Sequence, residues 1–235
     1  MRNLNKQPHI FCDFDGTIAQ VDVIDSLLEN FAPPQWRDIE QEWKTGKIGS
    51  RECLTRQVAL LDMSQFQLDQ YLNEIEIDSD FPVFVKEMFS KGYKITIVSD
   101  GLDYAIQRIL TRYHLNYLPV FSNHLQTIDE RHWQLTFPHF KPECKAISGH
   151  CKCSTVKQHQ STHSILIGDG TSDFCAAEEV DMVFAKHKLI SHCVQKNIAH
   201  YPVQNFSEIR NIFKHSDFIF HKPTLATTHL LMETY

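Results

Sequence analysis

The sequence lacks several features that would place it in a specialised class. Its 235 residues contain no uninterrupted apolar run near the ~18 residues that a membrane helix needs. Residues 1–9 are polar, so we expect no signal peptide. The formal net charge is -6, which leaves no basic excess to neutralise nucleic-acid phosphates. We therefore expect a cytoplasmic protein with no membrane or nucleic-acid partner.

The cysteines lack the spacing of a disulfide scaffold. There are seven, an odd number, and reduced thiols in a cytoplasm are the simplest interpretation. Cys144, Cys151 and Cys153 lie near several histidines, which raises the alternative of a zinc site. Their C-x6-C-x-C spacing matches none of the standard zinc patterns. We favour small buried thiols for this cluster.

The sequence does contain a repeated strand pattern in an ordinary globular composition. Hydrophobic residues make up 42% and charged residues 22%, enough for one large domain with a small insert. Helical patterns separate four apolar segments, which predicts a doubly wound α/β core around a parallel sheet. The predicted strands are residues 9–12, 93–98, 164–167 and 182–185. Residues 121–137 instead predict an antiparallel hairpin.

The long segment between the first two predicted strands has helical spacing of its apolar residues. Pro33-Pro34 interrupts its first helix, and Ser64 with Gln67 is typical of a capping box. We interpret residues 21–77 as a small helical-bundle cap inserted in the core. The predicted boundaries are residues 1–20 and 78–216 for the catalytic core, 21–77 for the cap and 217–235 for a C-terminal tail.

Acids follow the first predicted strand, at the edge where such sheets bind ligands. Asp13 and Asp15 are two residues apart, so their carboxylates can converge on one substrate. A carboxylate can attack a phosphomonoester, and a second carboxyl group then protonates the leaving oxygen and activates water. We predict Asp13 as the nucleophile and Asp15 as the general acid and base. For any single strand end, the alternative interpretation is that its polar residues only form a turn.

Two strand ends also provide oxygen ligands for a cation. Mg²⁺ prefers oxygen ligands in near-octahedral geometry. We expect it to bind the side chains of Asp13 and Asp169 and the main-chain carbonyl of Asp15. Asp173 lies one helical turn beyond Asp169 and would ligate the ion or support the site.

The end of the second predicted strand offers donors for a phosphoryl group. Negative charge on phosphoryl oxygens requires fixed hydrogen-bond donors. The Ser99 hydroxyl and the backbone N–H groups around Asp100 and Gly101 could supply them, together with a lysine.

These segments together resemble motifs of the haloacid dehalogenase superfamily in its phosphatase form. Asp13-Phe14-Asp15-Gly16-Thr17 is similar to the first motif, Val98-Ser99-Asp100-Gly101 to the second, and residues 168–173 to the fourth. The predicted cap lies where the type IB subfamily has its helical insert. The resemblance implies an aspartyl-phosphate mechanism with Mg²⁺ as the cofactor.

Within the superfamily, the sequence resembles the phosphoserine-phosphatase-like enzymes and, among them, the methionine-salvage phosphatases. The stretch Gly149-His150-Cys151-Lys152 is part of this likeness and implies that Lys152 is the lysine of the third motif. Lys157, further along the same predicted helix, is the alternative. Position 100 is Asp, where the methionine-salvage enzymes tend to have Gly.

The resemblance also implies substrate contacts in the cap. Asp22 occupies the position of an acid that holds the substrate amino group in phosphoserine phosphatases. Arg56 lies near the basic position that holds the substrate carboxylate, with Arg51 and Gln57 as neighbouring alternatives. A solvated helix face is the competing interpretation. The full predicted substrate-binding set is Thr17, Asp22, Arg56, Asp100 and Gly101.

We predict Mg²⁺-dependent hydrolysis of a small phosphomonoester. The methionine-salvage intermediate 2-hydroxy-3-keto-5-methylthiopentenyl-1-phosphate is the first candidate, followed by phosphoserine and other small phosphoesters. One alternative is a phosphotransferase or mutase on the same fold. Another is a non-catalytic phospholigand-binding protein, which would have no need of two adjacent acids. The expected partner is a small phosphorylated metabolite, and the expected assembly is a monomer or homodimer.

Overall fold

A computed structural model describes residues 7–144, 146–159 and 163–215. They form two compact units, one from the described residues among 1–18, 78–96 and 152–235, the other from residues 19–77 and 97–151. The predicted cap lies within the second unit, and the predicted tail lies outside the described residues. The predicted division into core, cap and tail stays a prediction.

The described residues contain seven strands and ten α-helices. The strands are β1 (His9–Cys12), β2 (Lys94–Leu102), β3 (Val120–Thr127), β4 (Trp133–Thr136), β5 (Ser164–Gly168), β6 (Met182–Ala185) and β7 (His200–Pro202). The helices are α1 (Val23–Phe31), α2 (Trp36–Lys44), α3 (Ser50–Val58), α4 (Gln65–Leu72), α5 (Phe81–Ser90), α6 (Asp103–Arg112), α7 (Lys152–Gln158), α8 (Phe174–Ala177), α9 (His187–Lys196) and α10 (Phe206–His215).

The first unit is built on parallel strands in the order β1-β5-β6-β7. Ile10 of β1 lies opposite Ile165 of β5, and both side chains are completely buried. The start of β2 lies beside β1, where the Lys94 N–H donates to the Pro8 carbonyl at 2.9 Å. Continuous apolar runs suit strands that are covered on both faces.

Helices α5 and α10 pack together in this unit through aromatic rings. The ring centroids of Phe81 and Phe206 are 4.8 Å apart, and those of Phe84 and Phe206 are 5.1 Å apart. Arg210 of α10 also forms an ion pair with Glu87 of α5 at 2.8 Å. These contacts anchor α10, the last described helix, within the first unit.

The second unit contains four helices in the segment predicted as a helical bundle, α1 to α4. The predicted capping box is confirmed, because Ser64 and Gln67 exchange hydrogen bonds at the start of α4. The predicted hairpin is also confirmed as β3 and β4, which pair antiparallel with Leu125 opposite Leu135.

Strand β2 is longer than the sequence predicts. Its apolar run ends at Val98, but the strand continues to Leu102, with a register shift against β3 between these residues. The side-chain amide of Asn123 donates to the Asp100 carbonyl at 2.6 Å, which keeps the irregular segment beside β3. The segment after the predicted strand end at residue 98 is therefore an irregular continuation of the strand.

Parallel strands that alternate with helices confirm the predicted α/β class. The sequence analysis missed β7, whose three half-buried residues, ending in Pro202, carry no strong strand pattern. Along the described part of the chain, every helix is too short or too polar for a membrane crossing.

Candidate active site

Asp13 follows β1 directly and is fixed by that position. Its N–H donates to the Ile167 carbonyl of β5 at 2.9 Å, which continues the strand pairing by one residue. Its Oδ1 accepts from the Phe14 N–H at 2.7 Å. Only 4% of the residue is exposed. A carboxylate in so little contact with water depends on the groups around it to remain charged.

Asp169 follows β5 and lies against the turn after Asp13. The Thr17 hydroxyl donates to Asp169 Oδ1 at 3.2 Å. Gly16 has a φ of +67°, and a Cβ at this position would lie 2.7 Å from Asp169 Oδ2. Glycine is therefore required here for both backbone conformation and space.

Asp173 closes the loop after β5 and is completely buried. Its Oδ2 accepts from the N–H groups of Asp169 at 3.1 Å and Gly170 at 3.2 Å. The close approach of this carboxylate also explains Gly168, whose Cβ would lie 2.5 Å from Asp173 Oδ2. Asp173 thus holds the backbone that presents Asp169.

Lys152, the first residue of α7, joins two of these acids. Its completely buried ammonium lies 2.8 Å from Asp13 Oδ1 and 2.7 Å from Asp173 Oδ1, and it donates to the Ser172 hydroxyl at 3.0 Å. The alternative lysine, Lys157, is exposed and pairs with Glu179 at 2.8 Å. The structure therefore brings Lys152, and not Lys157, to the aspartates.

Burial and neighbouring charges shift the ionisation of this cluster. Burial raises the pKa of Asp13 well above its usual value, Asp173 raises it further, and Lys152 opposes both. Burial and Asp173 also raise the pKa of Asp169. Burial lowers the pKa of Lys152, but the two bound carboxylates outweigh it and hold that pKa above its usual value. The lysine therefore stays protonated.

The donor set suits a divalent cation. One carboxylate oxygen from each of Asp13, Asp169 and Asp173 lies within 4.8 Å of the others. When all three are ionised, one lysine leaves two negative charges without compensation. An ion of charge two that prefers oxygen ligands would balance them.

The predicted phosphoryl-binding residues lie in the second unit. Ser99 is completely buried, and its hydroxyl oxygen accepts from the Gly101 N–H at 2.9 Å. Their role in holding a phosphoryl group stays a prediction.

The Asp100 carboxylate is engaged by three donors of the second unit. Oδ2 accepts from the Ser50 hydroxyl at 2.7 Å. Oδ1 accepts from the Asn123 amide at 3.0 Å and the His150 N–H at 2.8 Å. These contacts tie β2 to the start of α3, to β3 and to the segment before Lys152.

The predicted cap contacts also have local partners. Asp22 is the N-cap of α1 and accepts from the Asp25 N–H at 3.0 Å. Arg56 forms a bidentate ion pair with Glu42, with Nη1–Oε2 and Nη2–Oε1 distances of 2.6 and 3.2 Å. The substrate-binding role of Asp22 and Arg56 stays a prediction.

Sequence reasoning missed several residues of these clusters. Ser50, Asn123 and His150 reach Asp100 from distant parts of the chain, and no local pattern marks them. Lys186 was also missed, although it follows the predicted fourth strand directly. The strand-end rule that selected Asp13 could have selected it.

Comparison with known proteins identifies the family of this chain. Residues 10–178 match the haloacid dehalogenase-like hydrolases, over more than half of the chain. The chain belongs to this family. Asp13 lies at the start of the matched region and the other acids of the cluster lie within it.

The most similar relatives of this hydrolase include two bacterial enzymes. Both are named 2-hydroxy-3-keto-5-methylthiopentenyl-1-phosphate phosphatase. The protein of Exiguobacterium sp. is 32% identical over 211 residues, covering 88% of this chain and 97% of the relative. That of Bacillus velezensis is 32% identical over 212 residues, covering 88% and 90%.

Solved structures share the fold of this hydrolase at lower identity. A phospho-aspartyl intermediate analogue of phosphoserine phosphatase aligns with a TM-score of 0.67 and 19% identity, over 88% of this chain and 99% of the other. A HAD family hydrolase from Salmonella enterica serovar Typhi aligns with a TM-score of 0.69 and 21% identity, over 93% and 74%. They show the HAD fold and confirm the predicted class.

Proposed function

We propose that this protein is a phosphomonoesterase that forms an aspartyl-phosphate on Asp13. The observation that carries the proposal is the buried ammonium of Lys152, which lies between the carboxylates of Asp13 and Asp173. Such an arrangement keeps a carboxylate oriented and supplies positive charge where an anionic substrate must approach.

The contacts of Asp13 select the oxygen that attacks. Oδ1 is bound by the Phe14 N–H and the Lys152 ammonium. Oδ2 has no hydrogen bond within the described ranges, so it is the oxygen offered to phosphorus. Attack forms the Oδ2–P bond and breaks the bond from phosphorus to the substrate oxygen. Lys152 holds the carboxylate in line throughout.

Asp15 would transfer the protons of the two half-reactions. It gives a proton to the leaving alkoxide as the aspartyl-phosphate forms. It then takes a proton from the water that attacks phosphorus, which releases phosphate and restores Asp13. This role rests on the position of Asp15 two residues after the nucleophile, in the turn that faces Asp169 through Gly16.

We propose Mg²⁺ as the cofactor, and the three neighbouring carboxylates of Asp13, Asp169 and Asp173 support this choice. When bound, it would neutralise the repulsion between the substrate phosphate and the aspartates. Asp13, Asp169 and the Asp15 carbonyl would hold it. Both oxygens of Asp173 already accept hydrogen bonds from Lys152 and backbone N–H groups, which favours a supporting role for this residue.

The proposed phosphoryl donors are the Ser99 hydroxyl, the N–H groups of Asp100 and Gly101, and Lys152. To bind a phosphoryl oxygen, the Gly101 N–H would exchange Ser99 Oγ for it, and Lys152 would exchange the Ser172 hydroxyl. The proposed substrate is 2-hydroxy-3-keto-5-methylthiopentenyl-1-phosphate. Support comes from relatives of that name, which the chain matches over nearly their whole length. The seven free cysteines further support a cytoplasmic enzyme, since thiols stay reduced there.

A phosphate-release assay tests this function. The protein would be given Mg²⁺ and a panel that includes the methionine-salvage compound, phosphoserine, phosphocholine and p-nitrophenyl phosphate. We expect the first compound to have the highest kcat/KM, and EDTA to abolish turnover until Mg²⁺ is restored. Activity that resists EDTA would contradict the metal site, and no release from any compound would contradict a phosphatase.

The same assay separates hydrolysis from phosphoryl transfer. With added acceptor alcohols, we expect free phosphate to remain the main product, because Asp15 activates water. Phosphorylated alcohol as the main product would favour a phosphotransferase.

A further inference from the structure

A second buried lysine lies at the end of β6. Lys186 follows Ala185, the last residue of that strand, and is 8% exposed. Its N–H donates to the Gly168 carbonyl at 2.9 Å, which fixes it beside the end of β5. The Leu189 N–H, one turn into α9, donates to the Asp169 carbonyl at 3.0 Å. The backbone around Lys186 is thus tied to the loop that carries Asp169.

The side chain of Lys186 binds the turn that follows the two acids. Its ammonium donates to the carbonyls of Gly16 at 3.1 Å and Thr17 at 3.3 Å. No carboxylate oxygen of the described chain lies within ion-pair distance of it. The hydrogen-bond acceptors of this buried ammonium are therefore carbonyl oxygens. Burial of a charge with neutral partners costs stability, so a functional reason for this lysine is worth seeking.

The position of the turn bound by Lys186 is tightly constrained. The Gly16 backbone lies so close to Asp169 that a Cβ would clash, and the Thr17 hydroxyl donates to the same carboxylate. Asp15 immediately precedes Gly16. A small shift of the Gly16 and Thr17 carbonyls would therefore move Asp15 and release the hydroxyl from Asp169.

We propose that Lys186 is a positioning residue, whose ammonium fixes the Gly16–Thr17 turn and thereby places Asp15 and the Thr17 hydroxyl. It acts through the backbone and touches no reacting atom. Its effect on turnover rests on the proposed function, whereas its effect on the turn does not.

Hydrogen exchange tests the structural part of the proposal. Lys186→Met keeps most of the aliphatic length and removes the ammonium. We expect faster exchange in peptides that cover residues 13–19, with little change in β5. Lys91→Met is the matched control, because the Lys91 ammonium also donates to a backbone carbonyl, that of Phe213, at 2.9 Å. The control should leave the exchange rates of residues 13–19 unchanged.

Kinetics with p-nitrophenyl phosphate tests the functional part. We expect Lys186→Met to lower kcat by about 10-fold to 100-fold, the size of effect that a misplaced catalytic group produces. KM should change by less than about 3-fold, because the phosphate donors remain in place. Lys186→Arg, which keeps a charged donor, should recover part of kcat. Lys91→Met should turn over as the native protein does.

The outcomes separate this inference from the proposed function. Unchanged exchange at residues 13–19 would overturn the inference, as would a kcat equal to that of the native protein. A kcat loss that only follows lowered thermal stability, with no recovery in Lys186→Arg, would also overturn it. If Lys186→Met does not fold, Lys186→Gln and Lys186→Arg are read in the same way. An inactive native protein would contradict the phosphatase, while the exchange result would still decide the role of Lys186.

Discussion

Asp13 and Asp100 both follow apolar strand residues, yet their carboxylates are balanced in different ways. In the first unit, Asp13 shares one buried ammonium, that of Lys152, with Asp173. In the second unit, the Asp100 carboxylate accepts from the neutral donors Ser50, Asn123 and the His150 N–H. When its three acids are ionised, the first group has more negative charge than one lysine can balance, whereas the Asp100 carboxylate accepts hydrogen bonds from three neutral donors.

Under the proposed function, this difference separates a reactive arrangement from a structural one. Three neutral donors occupy both oxygens of the Asp100 carboxylate and leave it little capacity to bind anything more. Burial and crowding of the acids raise the pKa values of Asp13 and Asp169, and such shifted pKa values are typical of functional sites. Asp13 and Asp100 are the same residue type and both follow a predicted apolar strand, so the sequence pattern does not distinguish their roles and their partners do.

Removal of the shared ammonium should have the largest effect. We expect Lys152→Met to lower kcat with p-nitrophenyl phosphate by at least about 100-fold, because a preorganised charge at the nucleophile is lost. Lys157→Met, on the same helix but exposed and paired with Glu179, should stay within about 2-fold of the native protein. Equal kcat values for these two variants would remove the distinction between the clusters.

Removal of the Asp100 charge should affect stability more than chemistry. Asp100→Asn removes the charge that strengthens these three hydrogen bonds and turns an NH₂ group towards the Ser50 hydroxyl, so we expect a loss of about 1–3 kcal/mol in the free energy of unfolding. We expect kcat to fall less than in Lys152→Met. Denaturant unfolding with the exposed Asp38→Asn as control measures this. A stability equal to that of the control, with a collapse of kcat, would make Asp100 a direct participant.

His9 offers a smaller test on a buried group with a neutral partner. Its Nε2 lies 2.8 Å from the Thr96 hydroxyl, and burial, aided by His159 and Lys94, lowers its pKa from 6.5 to about 4. The unfolded chain therefore binds this proton at higher pH than the native protein does. Stability from neutral His9 should be complete above about pH 6.5 and be lost as the pH falls towards 4.

Unfolding at several pH values would show this contribution. His9→Gln keeps a neutral polar group and should flatten the decline between pH 6.5 and 4. An identical pH profile in native protein and variant would contradict the assignment to His9.

The sequence predicted those parts of the fold and site that follow from local pattern. Asp13 and Asp169 could be placed together because the carboxyl ends of parallel strands share one edge. The lysine of the cluster needed the family resemblance, since Lys152 and Lys157 are equivalent in helical pattern. The Asp100 contacts could not be predicted, because Ser50 and Asn123 are joined to it only by tertiary packing. Lys186 could have been predicted from its position directly after the fourth predicted strand. That strand end contains no acid, so the sequence pattern did not indicate a site there.

Trapping of the covalent intermediate tests the central claim most directly. The protein would be mixed with Mg²⁺ and a phosphate-labelled substrate, quenched in acid and digested, and the labelled peptide identified. We predict label on the peptide that contains Asp13, released by hydroxylamine as an acyl-phosphate is, and none in Asp13→Asn. Label on another residue, or steady turnover by Asp13→Asn, would contradict the account.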